Sequence, residues 1–401
     1  MATMARSVTA PARPARREGS SSSPHAHRLA RLSKRIEEQE LGALLVTNPK
    51  DVGYLTGFFG GDSYLLVFGA DGAAGRSSRK PIIISDFRYK EELDPIEPMA
   101  QVFIRSRSMI EAVAEVVGSD KSSGAPGAVP AEARVGIQAE HMTIAEKAAV
   151  GKKLGAKRLG DTLNLVSRLR LIKDEQEIGL VRKAAKIQEQ ALAAVLAEMK
   201  PGMTESEVAA RLEAEMKTRG SSEPGFQTIV AAGPNGSLPH YRPQQKKLAA
   251  GKTVLIDWGA VYQGYHSDMT RVFGLGSWPE RIAEIYDICL EAQLASADAL
   301  APGKTTNEID GIARQIISKA GYAECFGHGL GHGLGLNGHE DPRLTNMLAP
   351  TKLETGMIVT IEPGIYLPGV GGVRIEDDYV ITEKGAVNLC SMKKTREWAT
   401  V

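Results

Sequence analysis

Three histidines, His328, His332 and His339, stand among six glycines in the stretch GHGLGHGLGLNGHEDP, Gly327 to Pro342. Glycine is poor in helices and packs nothing, so a run this rich in it marks a place where the chain bends tightly or something approaches the backbone. Three readings compete: a phosphate-cradling loop, since Gly333, Gly335 and Gly338 satisfy G-x-G-x-x-G, a metal or acid–base loop built on the imidazoles, and a plain turn. The phosphate reading is weak, because HEDPRL follows and its proline interrupts the helix that a dinucleotide fingerprint requires. His328 and His332 are spaced i, i+4 as in a helical zinc motif, but the glycines around them favour a loop over a helix face.

Four acids extend the set. Asp257 and Glu362 end the apolar runs VLID and VTIE, and Asp268 and Glu376 are expected on the strands that follow, in GYHSDMTRVF and GGVRIEDDYVIT. Such a carboxylate is costly to bury unless it is paired, hydrogen-bonded or bound to a cation. Any one of them alone is more simply a salt-bridge partner or a turn cap. Together, in symmetric pairs, they would repel one another in a shared core, and two divalent cations sharing bridging carboxylates remove that repulsion. A two-metal site also suits hydrolysis, because nucleophile and developing oxyanion are both held. Arg374 lies two residues before Glu376, so on a strand both side chains point to one face, where the guanidinium could clamp a carboxylate in a bidentate pair. The competing expectation for Arg374 is a salt bridge to Asp377 or Asp378.

The elements that position these residues are visible as a duplication. PGMTESEV, from Pro201, returns as PGKTTNEI, from Pro302, and KLAAGKTVLIDWG, from Lys247, returns as KLETGMIVTIEPG, from Lys352. Thr204 with Glu207, and Thr305 with Glu308, make the same capping box, so both copies start a helix at the same place. Upstream, KDEQEIGLVRKAAKIQEQALAAVLAEMK carries a one-faced helical pattern opened by Asp174 and Glu177. Before it, LGALLVTNP, SYLLVFG and KPIIISDF are short apolar runs mixed with helical stretches, a small α/β domain with a surface loop over Ser119 to Pro130. The expected organisation is a disordered basic tail over residues 1–27, an α/β domain over 28–160 and a catalytic domain over 161–401.

Composition narrows the function classes. The first 35 residues hold seven arginines and one lysine against Glu18 alone, so the rest of the 401-residue chain is acidic, near −6, beneath a net charge of +1. That argues against a broad nucleic-acid surface. No apolar run is long enough to span a membrane, and the tail lacks a secretory core, although its Arg, Ser and Ala content faintly resembles a transit peptide. Cys289, Cys325 and Cys390 form no C-x-x-C pair, which fits a reducing compartment and a cytoplasmic location.

The ordered set Asp257, Asp268, His332, Glu362 and Glu376, with HGLGH and IEPG around its later members, resembles the metal site of the pita-bread metallopeptidases. These include methionine aminopeptidase, aminopeptidase P and prolidase. The likeness runs from about Leu165 to Val401, and the preceding α/β domain resembles the prolidase, aminopeptidase P and creatinase branch. The fold it implies is α/β in class (α+β), a creatinase-like N-terminal domain followed by a pseudo-two-fold pita-bread domain. It implies that Asp257 holds one metal through both oxygens, that Asp268 and Glu376 bridge the two, and that His332 and Glu362 complete the ligands of the second metal. A water acidified by both cations would be the nucleophile, with Glu362 as general base. His240 in LPHYRP and His339 match imidazoles that contact the substrate carbonyl and oxyanion. His328 matches a residue near the leaving side, and Arg374 one at the proline end, with Tyr241, Arg242 and Tyr366 as further lining.

The expected protein is therefore a homodimeric Xaa-Pro dipeptidase using two divalent ions, manganese first, with cobalt, zinc or iron as alternatives. Its substrate is a small peptide with proline after the scissile bond. An aminopeptidase P acting on longer peptides is the alternative. A non-catalytic pita-bread binding protein and a metal-free creatinase-like hydrolase are disfavoured because all five ligands are kept.

Overall fold

The computed structural model describes residues 23–71, 77–118 and 129–401. Residues 1–22 of the expected tail, and all of the expected surface loop except Val129 and Pro130, lie outside them. The tail expectation runs too far at its other end. Helix α1 (Pro24–Glu38) already starts at Pro24, capped by the Ser23 hydroxyl and opened by a proline whose missing N–H goes unused in a first turn.

The chain forms two compact units that divide between Thr162 and Leu163. In the first, strands β1 (Ala43–Val46), β2 (Tyr64–Phe68), β3 (Ile82–Ser85), β4 (Gln101–Ile104), β5 (Val135–Gln138) and β6 (Leu159–Thr162) make one mixed sheet in the order β4-β3-β2-β1-β5-β6. Helices α2 (Pro49–Thr56), α3 (Lys90–Leu93), α4 (Met109–Gly118) and α5 (Ile144–Leu154) complete it. The central strands are apolar at consecutive positions because both their faces are buried, as the runs ALLV and IIIS require.

The second unit opens with a short helix, α6 (Ser167–Arg170), and then carries the duplication. Its first half contains α7 (Glu175–Glu198), α8 (Glu205–Thr218) and the strands β7 (Ile229–Ala232), β8 (Thr253–Trp258), β9 (Val261–Tyr262), β10 (Tyr265–His266) and β11 (Met269–Gly274). Its second half contains α9 (Glu280–Asp298), α10 (Thr306–Lys319), β12 (Gly331–Gly333), β13 (Glu340–Leu344), β14 (Ile358–Ile361), β15 (Gly364–Leu367), β16 (Gly371–Arg374), β17 (Asp377–Thr382) and β18 (Gly385–Asn388). The sheets run β11-β8-β7 and β13-β12-β14-β17-β18, and the pairs β9/β10 and β15/β16 are small hairpins. The capping boxes at Asp174, Thr204 and Thr305 all form.

Strand β8 shows how the fold aims a carboxylate. Val254, Ile256 and Trp258 pack against α7 and α8, while the alternate residue Leu255 joins the core under α9 and α10. Asp257 continues the Leu255 face, so the burial of its apolar neighbours, each worth about 1.5–3 kcal/mol, holds the acid where the period of two sends it.

The second acids do not ride on the return strands as expected. Asp268 and Glu376 each stand one residue before their strand, β11 and β17, after an intervening hairpin. Nor are they symmetry mates. Thr270 faces Asp257 in the first ladder, and Ile361 faces Asp377 in the second, which places Glu376 opposite Glu362. With Asp257 and Glu362 equivalent, Thr270 holds the place of Glu376, and Asp268 the place of Arg374.

Candidate metal centre

Within the glycine stretch only Gly331–Gly333, around His332, and the start of β13 at its end are strand; His328 and His339 lie in the loops expected for them. β12 is squeezed between β13 and β14, and a Cβ on Gly331 would lie 2.1 Å from the Thr360 carbonyl oxygen, one on Gly333 2.0 Å from that of Asp341. Only glycine allows that approach, which explains the bare backbone around His332. His332 Nδ1 lies 3.0 Å from the Gly333 carbonyl, which can only accept, so Nδ1 carries a proton, and Nε2 faces inward, where it can hold a second proton against Glu362 or give its lone pair to a cation. Nε2 stands 3.3 Å from Glu362 Oε1 and 3.8 Å from Asp268 Oδ2.

All five expected ligands converge in two overlapping triads, Asp257 with Asp268 and Glu376, and His332 with Glu362 and Glu376, and a third triad joins Asp268 and His332 to His339. Within each triad the ligand atoms lie within 4.8 Å of one another, and Glu376 belongs to both of the first two. Asp257 Oδ1 is buried with no hydrogen-bond partner among the described residues. A buried carboxylate oxygen left bare beside two other carboxylates is the arrangement a divalent cation satisfies, so the donor set fits a metal. Burial, then the negative charge of their neighbours, raises Asp268 and Glu376 well above the usual carboxylate range; Asp257 is raised by burial against the pull of Arg374. Glu362 goes the other way: burial opposes ionisation, but the hydrogen bond and charge of His332, with His328 and Arg374 behind, hold it below its ordinary value.

A carboxyl raised in the folded state binds more protons there than in the unfolded chain, so ionising it destabilises the fold as pH rises from about 4. The metal-free protein should therefore lose melting temperature between pH 5 and 8, and the increment added by manganese should grow over the same interval. Thermal melts with and without the ion check this; an increment independent of pH would contradict the account.

Arg374 is 3% exposed, and neither expectation for it describes its bonds. Asp377 pairs with Arg271 and Lys394, and Asp378 Oδ2 accepts the backbone N–H of Asp268, so no salt bridge runs from Arg374 to either. Its Nη2 donates to Asp257 Oδ2 at 2.5 Å, Nη1 to the Tyr366 hydroxyl at 2.7 Å and Nε to Thr270 Oγ1 at 3.0 Å. The fork expected to clamp a substrate carboxylate is engaged by protein. Tyr366, accepting from Arg374, donates its hydroxyl hydrogen bond to His328 Nε2 at 2.9 Å, and His328 Nδ1 donates to the Gly329 carbonyl. This directed chain keeps His328 neutral, in line with a pKa lowered chiefly by burial.

The site floors a cavity of about 760 Å³, also lined by His240, Tyr241, Arg242, His328, His339 and Tyr366. The His339 ring tilts against that of His332 with centroids 4.0 Å apart, and burial, then the charge of His332, lowers it to about 4. Two residues escaped the sequence reading. Thr270 Oγ1 donates to Glu376 Oε2 at 2.7 Å while accepting from Arg374, and its only signal is a hydroxyl inside the strand MTRVFG. Arg343 lines the cavity and, like Arg242, makes no ion pair among the described residues; DPR beside a proline gave no hint of it.

Comparison with known proteins agrees with this geometry. The chain matches the model of metallopeptidase family M24 over residues 179–383 and that of the creatinase/prolidase N-terminal domain over residues 28–172. It is 44% identical over 243 residues to a Xaa-Pro dipeptidase of Pyrococcus horikoshii, covering 61% of this chain and 69% of that one. Among solved structures it is similar to a Xaa-Pro dipeptidase from Bacillus anthracis, with TM-score 0.85, 34% identity, and 94% and 100% of the two chains covered. It is also similar to an X-Pro aminopeptidase from Thermotoga maritima, with TM-score 0.79, 29% identity and coverage of 93% and 99%.

Proposed function

Because the chain belongs to metallopeptidase family M24, we propose that it is a Xaa-Pro dipeptidase whose Asp257, Asp268, His332, Glu362 and Glu376 hold two divalent ions. The observation that carries the reading is the pair of triads sharing Glu376 at the floor of the cavity. Manganese suits a set of four carboxylates and one imidazole. When bound, the ions would acidify water and polarise the peptide carbonyl. Three free cysteines fit the reducing compartment expected above, and among the described residues no helix is long and apolar enough to cross a membrane.

The chain's own groups supply the rest. Glu362, ionised at neutral pH, accepts the proton released in attack, and Thr360 Oγ1, 3.4 Å from its Oε1, helps fix its orientation. His339 and His240, on the cavity wall, donate to the carbonyl oxygen as charge develops on it. Neutral His339 keeps its N–H for that purpose across the working range. Arg374 orients Asp257 and Tyr366 rather than binding substrate, which leaves Arg343 and Arg242 to meet the free carboxylate of a dipeptide.

A second reading, an aminopeptidase of longer Xaa-Pro peptides, is favoured by one observation: a cavity of about 760 Å³ has room beyond a dipeptide. Proline release from Xaa-Pro dipeptides and Xaa-Pro-Xaa tripeptides, by metal-stripped protein reloaded with manganese, separates the two. The dipeptidase reading expects kcat/KM to favour dipeptides by about a hundredfold, because a cation built for a nearby carboxylate is left unpaired by the longer chain. A preference for tripeptides would move the assignment to the second reading.

A further inference from the structure

Glu205, in the first turn of α8, is fully buried and makes no ion pair among the described residues. All four bonds of its carboxylate go to one stretch of chain. Oε1 accepts from the N–H of Ala232 at 2.7 Å and from Asn235 Nδ2 at 2.8 Å. Oε2 accepts from the Tyr241 hydroxyl at 2.8 Å and from the N–H of Gln244 at 3.2 Å. Four donors fill the acceptor sites of a carboxylate, so its lone pairs are satisfied without a cation.

The stretch held in this way carries His240, Tyr241 and Arg242 on the cavity wall. Leu238, His240, Arg242 and residues 244–247 are exposed, so packing does little to place them. Backbone bonds from Glu205 N to Lys246 O and from Ser206 N to Gln244 O, both 3.0 Å, lay the far end of the stretch along the start of α8. Past that rail, Tyr241, next to the histidine, packs against the core and has its hydroxyl held by the Glu205 carboxylate and by Asn235 Nδ2 at 2.7 Å, itself a partner of Glu205. The duplication supplies an internal control. In the second half the equivalent of Glu205 is Thr306, whose hydroxyl accepts one backbone N–H, that of Thr351. A buried acid is thus not demanded by the architecture of the repeat; it occurs in the half whose loop presents His240.

We propose that Glu205 is a positioning residue: its buried carboxylate fixes the 232–244 segment and so holds the His240 imidazole at the cavity. The role of His240 rests on the peptidase reading, whereas the tether itself does not.

Both parts are tested with Glu205→Gln, Tyr241→Phe, His240→Ala and the double variant Glu205→Gln/His240→Ala. Glutamine keeps the shape but sets an N–H₂ against two donors. We expect Glu205→Gln to lower kcat/KM on a Xaa-Pro dipeptide by about ten- to a hundredfold, with manganese affinity by calorimetry changed less than about twofold. In the His240→Ala background the same substitution should cost less than about twofold, since the group it acts through is gone. Effects that multiply, or a loss of manganese affinity matching the loss of activity, would overturn the positioning role. Limited trypsin digestion reads the tether without activity: cleavage after Lys246 or Lys247 should be about tenfold faster in Glu205→Gln, and equal rates would overturn it. If the parent protein cleaves no Xaa-Pro peptide, the peptidase reading fails and the digestion still decides the tether. If Glu205→Gln does not fold, Tyr241→Phe, which removes one of the four bonds, carries the same tests.

Discussion

Replacement of Glu376 by glutamine is expected to lower kcat/KM by at least about a thousandfold, some 4 kcal/mol of transition-state stabilisation. It should also raise the melting temperature of the metal-free protein. The two effects have one cause. Glu376 belongs to both ligand triads, and burial together with the charges of Glu362 and Asp257 opposes its ionisation. Glutamine has the shape of the protonated acid, so it relieves the repulsion in the empty site while removing the charge that would hold both ions. Its amide can still accept the Thr270 hydroxyl, so the local hydrogen bond need not be lost. Activity assays and paired melts of stripped and manganese-loaded protein check this. A variant less stable than the parent when stripped, or still active when loaded, would remove Glu376 from the shared position.

The second large effect is expected at Glu362. Its glutamine variant should lose about a hundred- to ten-thousandfold in kcat with a small change in KM, the signature of a proton acceptor used in the transition state. Because Glu362 also stands 3.3 Å from His332 Nε2, metal content must be measured alongside. Full occupancy with kcat lost assigns the base; occupancy lost in proportion to activity assigns a ligand role alone; kcat within about threefold of the parent excludes both.

Asp257, Glu362 and the duplication around them were legible in the sequence because these acids break a rule: they end the apolar strands VLID and VTIE, where only a partner or an ion justifies them. The second half-elements were not. Asp268 and Glu376 read as strand residues because the hairpins β9/β10 and β15/β16 are too short to leave a pattern of their own. Arg374 is expected from the sequence to clamp a substrate carboxylate, with Asp377 or Asp378 as the competing partner, yet its partner Asp257 lies 117 positions away, a pairing set by tertiary placement that no local spacing records. The strand at His332 was read as a loop because glycine propensity says so, and propensity yields to a neighbouring backbone that admits no Cβ. Glu205 left a capping pattern as its only trace, since the eye stops at Thr204 and Glu207, which flank it.

The offset between the two halves bears on how the centre would be assembled. Were Asp268 and Glu376 true mates, a two-fold axis would pass between two interchangeable ions. Instead Asp268 stands where the other half places a cation, Arg374, and Glu376 stands where the other half places a hydroxyl, Thr270. One position is therefore enclosed by oxygen alone and shadowed by a guanidinium on Asp257, while the other offers a nitrogen from His332. Ions entering such a centre would be chemically distinguishable, and a titration should show two unequal steps, the imidazole-bearing position taking borderline metals such as zinc or cobalt ahead of its neighbour. A scaffold built by repetition would then load as an ordered, directional device.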